Sequence, residues 1–88
     1  MITTEQVNAI TAKIKTLGVA EETVSALRQK YQPIHFTYCM DDDLPNNAPI
    51  VEASAFNLYL IDGREHCLCL TNDYDAATGI VVAEIIPD

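Results

Sequence analysis

The fold is decided by residues 56–71, which read FNLYLIDGREHCLCLT. Apolar and polar side chains alternate on both sides of Asp62-Gly63, and a period of two indicates strands whose successive residues face opposite ways. An Asp-Gly pair between two such runs is typical of a tight chain reversal. We therefore predict a β-hairpin with strands at about residues 56–61 and 65–71.

The register of this hairpin has two alternatives. A two-residue turn places Leu60 on the face of Cys67, whereas a three-residue loop places it opposite His66. We favour the three-residue loop, because it brings the large apolar side chains of both strands to one face. These side chains are Phe56, Leu58, Leu60, Leu68 and Leu70. Tyr59, Cys67 and Cys69 would then lie on the opposite face.

Two helices are predicted before the hairpin. Thr3 and Gln6 are spaced as a capping box, and apolar residues then recur at helical spacing up to Gly18, a residue type that commonly closes a helix. A second apolar stripe follows after a short connection. The predicted helices span about residues 4–17 and 21–31, and the short link between them favours a helical hairpin.

Two further strands flank the hairpin in sequence. Residues at about 34–40 alternate in polarity, and those at about 79–86 form a nearly continuous Ile and Val run that is typical of a strand buried on both faces. The sequence therefore predicts one α+β domain over residues 1–88, with the helical hairpin packed on a three- or four-stranded antiparallel sheet.

The charge is strongly acidic and unevenly distributed. Thirteen acidic against five basic residues give a net charge of −8, of which residues 39–88 carry −9 and residues 1–38 carry +1. Such a surface repels phosphate backbones and anionic lipid, which excludes nucleic acid and membrane as expected partners. No apolar run reaches the roughly 18 residues of a membrane span and no signal peptide is evident, so we expect a cytoplasmic protein.

The aspartates of two acidic loops are the candidate binding residues. Asp41, Asp42 and Asp43 follow one predicted strand, while Asp73 and Asp75 precede the last one. Our first hypothesis is a non-catalytic module that uses this acidic half to bind a basic protein surface, because surface charge governs association rate and partner choice.

Tyr59 is the expected contact residue on an open sheet face. One helical layer in so short a chain is expected to cover only one face of the sheet, leaving the other for a partner or a homodimer contact. On this view Leu58→Ala destabilises the fold, whereas Tyr59→Ala leaves the fold intact and weakens association.

The cysteines suggest a second hypothesis, a metal- or redox-responsive protein. Cys39, Cys67 and Cys69 are odd in number, so a complete disulfide framework is impossible and reduced thiols are expected. Together with His66 or His35 they contain enough thiolate and imidazole for a soft metal. However, the two thiols of a Cys-x-Cys pair on a strand lie about 6–7 Å apart, which favours small buried cysteines over a metal site.

No spacing matches a catalytic or cofactor motif. The three glycines are isolated, so no phosphate-binding loop is present, and no nucleophile turn accompanies a Cys–His pair. The aspartate run lacks the alternation, glycine and closing glutamate of a calcium-binding loop. The sequence favours a protein that is not an enzyme, with no cofactor.

The segments HFTYCMDDD at 35–43, FNLYLIDG at 56–63 and HCL at 66–68 resemble a family of small uncharacterised bacterial proteins. The resemblance covers about residues 30–86. Such proteins are often encoded among nitrogen-fixation genes. The resemblance implies an accessory role in nitrogenase assembly or protection, in which His35, Cys39, His66, Cys67 and Cys69 would contact iron–sulfur chemistry.

Overall fold

The computed structural model describes residues 2–44, 48–63 and 69–85. Two helices, α1 (Thr4–Leu17) and α2 (Glu21–Lys30), precede the first strand, β1 (His35–Met40). A 3-10 turn at Asp41–Asp43 follows, and then come β2 (Val51–Glu52), β3 (Phe56–Asp62), β4 (Cys69–Thr71) and β5 (Gly79–Glu84). The α+β class is confirmed.

Local signals explain both ends of α1. The backbone N–H of Gln6 donates to the Thr3 hydroxyl at 3.1 Å, and the backbone N–H of Thr3 donates to the Gln6 side chain at 2.9 Å. Gly18 closes the helix at φ 91, a left-handed value that a residue with a Cβ adopts only with strain, and its N–H donates to the Ile14 carbonyl. The capping box predicted from the sequence is therefore present.

The sheet is mixed, with β5 between β1 and β3. β5 pairs antiparallel with β3 but parallel with β1, so the expectation of a purely antiparallel sheet was wrong at this pair. β2 and β4 share the other edge of β3. The short β2, which the sequence analysis missed, raises the number of strands in the described chain to five.

The favoured register of the β3–β4 hairpin was also wrong. Ile61 pairs with Leu70 and Asp62 with Cys69, so Leu70 lies on the face of Tyr59, while Cys69 lies on the face of Leu58 and Leu60. Leu70 and Cys69 therefore each lie on the face opposite to the one predicted, because a one-residue slip moves every side chain of a strand to the other face. Residues 64–68 of the predicted hairpin, which include His66, Cys67 and Leu68, lie outside the described residues.

The helices cover one face of the sheet. Ile10, Ile14 and Leu27 pack with Leu58 and Leu60 in one core cluster, and all five are essentially inaccessible to solvent. The central strands supply the sheet side of this core, as the apolar run of β5 predicted.

The second face is covered as well. Tyr59, Ile61, Val81 and Ala83 form a smaller buried cluster there, against which Cys39, Leu44 and Leu70 pack. The segment after β1 thus crosses this face and closes it over Tyr59, which is only 6% exposed. The expectation of an open face around Tyr59 was therefore wrong.

Candidate functional site

The best-defined polar arrangement lies where β1 ends. Asp41 opens the 3-10 turn, and its Oδ1 accepts hydrogen bonds from the Tyr59 hydroxyl at 2.9 Å and from the Asn57 side-chain amide at 3.1 Å. Asn57 and Tyr59 are two residues apart on β3 and so face the same way. The turn is therefore fixed to the sheet by two side chains of a different strand.

Further carboxylates surround this anchored turn. Asp42 and Asp43 are exposed, Glu52 is exposed on β2 opposite Asn57, and Glu84 ends β5 opposite Met40. We call this set of side chains the acidic end. It consists of Asp41, Asp42, Asp43, Glu52 and Glu84.

No lysine or arginine among the described residues lies on the sheet. Within residues 2–44, 48–63 and 69–85 the lysines and arginines are Lys13, Lys15, Arg28 and Lys30, all on α1 or α2. The one ion pair among these residues joins Arg28 to Glu21 at 2.9 Å. The exposed carboxylates of the acidic end therefore present their charge directly to solvent.

The second acidic loop lies at the other end of the sheet. Asp73 and Asp75 precede β5 and are exposed, and the Asp73 carboxylate accepts the N–H of Asp75 at 3.0 Å, a bond that shapes the turn. The two ends of the paired β1 and β5 are about 17 Å apart at the usual rise per residue. The structure therefore separates the two loops that the sequence analysis had grouped.

Two tyrosine hydroxyls bind carboxylates near this site, and both are held protonated. The hydrogen bond from Tyr38 to Glu84, together with burial and the charges of Glu84 and Glu21, raises the pKa of Tyr38. Burial, then the hydrogen bond to Asp41, raises the pKa of Tyr59. Both phenols therefore act as hydrogen-bond donors at neutral pH.

Cys39 lies beside the same turn, and its side chain is partly buried. Burial raises the pKa of its thiol, and the charges of Asp43 and Asp41 raise it further. Because the thiolate is both the metal ligand and the nucleophile, this environment disfavours either use.

The described cysteines cannot share a ligand. Cys39 pairs with Ala83 on the face of Tyr59, whereas Cys69 lies opposite Asp62 on the other face. Three strand spacings, about 14 Å, also separate β1 from β4. Within the described ranges no three His, Cys, Asp or Glu side chains are grouped to hold a metal, and His66 and Cys67 lie outside those ranges.

Four residues of this site were not predicted from the sequence: Tyr38, Asn57, Glu52 and Glu84. Asn57 carried a usable signal, since it is a lone amide in an otherwise apolar strand and lies two residues from Tyr59. The partners of Tyr38 and Asn57 are distant in sequence, so no local pattern pointed to them.

Fold and site together define a small α+β protein with an anchored acidic end. The chain belongs to a family of unknown function, DUF6129, whose sequence model matches residues 9–85. Neither a curated protein nor a solved structure matches the chain. In the described ranges neither helix is long and apolar enough to cross a membrane.

Proposed function

We propose that this protein is a non-catalytic binding module whose acidic end docks a basic surface of a protein partner. The observation that carries the proposal is the anchored turn, in which Asp41 is fixed by Tyr59 and Asn57 while Asp42 and Asp43 remain exposed. A fixed backbone presents these charges at little entropic cost on binding.

Charge supports a protein with a basic surface as the partner. Among residues 2–44, 48–63 and 69–85, no lysine or arginine lies on the sheet beside the acidic end, and a field of one sign accelerates encounter with a surface of the opposite sign. The same field disfavours phosphate backbones and anionic lipid. The proposal therefore excludes nucleic acid and membrane as partners.

The contact residues of this proposal are fewer than the sequence suggested. Asp42 and Asp43 are its contacts, and Asp41 positions them. Tyr59 supports the turn from within the protein, since its side chain is buried. Asp73 and Asp75, at the far end of the sheet, form a separate surface and serve as a matched comparison.

The experiment is affinity capture with charge-neutral variants. Tagged wild-type protein, Asp42→Asn/Asp43→Asn and Asp73→Asn/Asp75→Asn are each immobilised and exposed to native lysate of the source cells at low salt and at 0.5 M salt. We expect one defined basic protein to be retained by wild type and by the Asp73/Asp75 variant. Its retention should be lost in the Asp42/Asp43 variant and at high salt, where the screening length falls to about 4 Å.

Equal retention by all three proteins, or retention unaffected by salt, would rule out docking through the acidic end. Self-association is checked in parallel by sedimentation of the purified chain. A dimer that survives the Asp42/Asp43 substitution would point instead to a second copy of this chain as the partner.

The nitrogen-fixation setting is a further part of the proposal, supported by the resemblance of residues 35–43, 56–63 and 66–68 alone. It predicts that the captured protein belongs to nitrogenase assembly or protection. The alternative of a metal- or redox-responsive protein has weaker support, because Cys39 and Cys69 lie on opposite faces. Stoichiometric metal in unsupplemented protein, together with fast thiol labelling, would favour that alternative.

A further inference from the structure

A solvent-open cleft of about 810 Å³ lies at the end of the sheet opposite the acidic end. It is bounded by the C-terminal part of α2, the first residues of β1, and the neighbouring Gly63 and Thr78. A smaller cavity of about 400 Å³ adjoins it across the segment 32–35. Volumes of this order suit a small organic molecule.

The charged side chains of the described residues that line this cleft are basic. Arg28 and His35 line the larger cavity, and Lys30 and His35 line the smaller one. Within residues 2–44, 48–63 and 69–85, no aspartate or glutamate lines either cavity. A wall whose described charged side chains are basic favours an anionic ligand.

Arg28 is held in place for this role. Its Nε donates to the Phe36 carbonyl at 3.2 Å and its Nη1 donates to Glu21 Oε1 at 2.9 Å. These two bonds fix the guanidinium plane and leave the remaining donors of Nη1 and Nη2 uncommitted. Glu21 orients Arg28 without lining the cleft, although its carboxylate offsets part of the guanidinium charge. A planar fork of donors matches a carboxylate.

The rest of the wall is mostly apolar and rigid. Pro33, Phe36 and Ile61 line it, and Ile61 belongs to the central strand β3. The Thr78 hydroxyl accepts the N–H of Gly63 at 2.9 Å, which ties the end of β3 to the start of β5. The cleft therefore offers a fixed apolar surface beside one oriented cation.

We propose that this cleft binds a small organic carboxylate with an apolar body. The carboxylate pairs with Arg28, and the apolar body lies against the accessible side chains of Pro33 and Ile34. The site is independent of the acidic end and belongs to no function described above.

The test is NMR titration of amide-labelled protein with hexanoate and benzoate, using hexanol and benzyl alcohol as uncharged counterparts. We expect at least one carboxylate to bind with a Kd of about 1 mM and to shift the amides of His35, Thr37, Gly63 and Gly79. The matching alcohol should bind at least tenfold more weakly. This comparison requires no variant.

Three variants locate the site. Arg28→Gln should weaken carboxylate binding at least tenfold, whereas Lys13→Gln, which removes a cation from α1, should leave it unchanged. Thr37→Trp fills the cleft from an exposed strand position and should abolish binding while the amide spectrum stays dispersed. Absence of shifts with both carboxylates, equal binding of the alcohols, or equal weakening by Lys13→Gln would overturn the proposal.

Discussion

The Tyr59 hydroxyl donates a hydrogen bond of 2.9 Å to Oδ1 of Asp41, joining the middle of β3 to the turn that follows β1. Asp41 lies 18 residues before Tyr59 in sequence, and β5 separates their strands in the sheet. The bond therefore connects the buried second face to the exposed carboxylates of the acidic end.

Tyr59→Phe tests this connection. Removing the hydroxyl leaves Asp41 with the Asn57 amide alone, so we expect a loss of about 1 kcal/mol in the free energy of unfolding, measured with urea. Tyr74→Phe is the matched control, since the Tyr74 hydroxyl makes no hydrogen bond within the described residues. Equal losses in the two variants would show that the Tyr59–Asp41 bond contributes nothing specific.

Leu58→Ala and Tyr59→Ala should both destabilise the protein. Leu58 is fully buried under the helices, and Tyr59 is 6% exposed on the other face. We expect losses of about 2–5 kcal/mol for Leu58→Ala and about 3–5 kcal/mol for Tyr59→Ala, by analogy with large-to-small changes in other cores. An intact, fully stable Tyr59→Ala protein would contradict the burial of the second face and support the open face expected from the sequence.

Stability should fall at alkaline pH. The pKa values of Cys39, Tyr38 and Tyr59 are all raised in the folded state. Above the ordinary values of about 8.5 for cysteine and 10 for tyrosine, the unfolded chain loses these protons first, so the free energy of unfolding decreases as pH rises through the folded pKa values. Urea titrations between pH 8 and pH 11 should show a shallower decline in Tyr38→Phe/Tyr59→Phe. The same slope in wild type and variant would contradict this assignment.

Cys39 should alkylate slowly at neutral pH. Burial and the charges of Asp43 and Asp41 raise the pKa of its thiol, which lowers the fraction of reactive thiolate. Iodoacetamide labelling followed by peptide mass spectrometry should show a higher rate at Cys39 in Asp43→Asn than in wild type. Asp73→Asn, at the other end of the sheet, should leave that rate unchanged. A similar increase in the Cys39 rate in Asp73→Asn would contradict a local effect of Asp43.

Gly79→Ala should weaken the pairing of β1 with β5. A Cβ at Gly79 would lie 2.8 Å from the His35 carbonyl oxygen and 3.1 Å from the His35 Cβ, so the parallel strands would have to separate. We expect a loss of about 1–3 kcal/mol, as for overpacked cores. Hydrogen exchange should rise first at the β1 amides that bind β5. Unchanged protection in β1 would show that the strand pair absorbs the methyl group.

The parts of the fold that were predictable are those with local causes. Thr3 and Gln6 set the start of α1 within one turn, Gly18 ends it, and the apolar run at β5 indicates a strand covered on both sides. The parallel pairing of β1 with β5 was not predictable in this way, because it joins segments about forty residues apart in sequence. The strand faces of β4 failed for a related reason: one residue in loop length reverses them.

The site was only partly predictable. The aspartate run at 41–43 is visible in the sequence as a charged loop, but its anchoring depends on Tyr59, which the wrong register assigned to an open surface. The cleft near Arg28 was invisible, since it forms where α2, β1, β3 and β5 meet. Positions on four elements that are distant in sequence leave no periodic trace.

The central position of β5 has a consequence for biosynthesis. β5 is the last strand of the described chain, yet it separates β1 from β3 and pairs with both. During translation, the backbone groups of β1 and of the β3 edge that faces β5 remain unpaired until residues 79–84 have left the ribosome. Nascent chains stalled before that point would expose strand edges prone to association with other chains. The sheet can therefore close only as synthesis reaches its last strand.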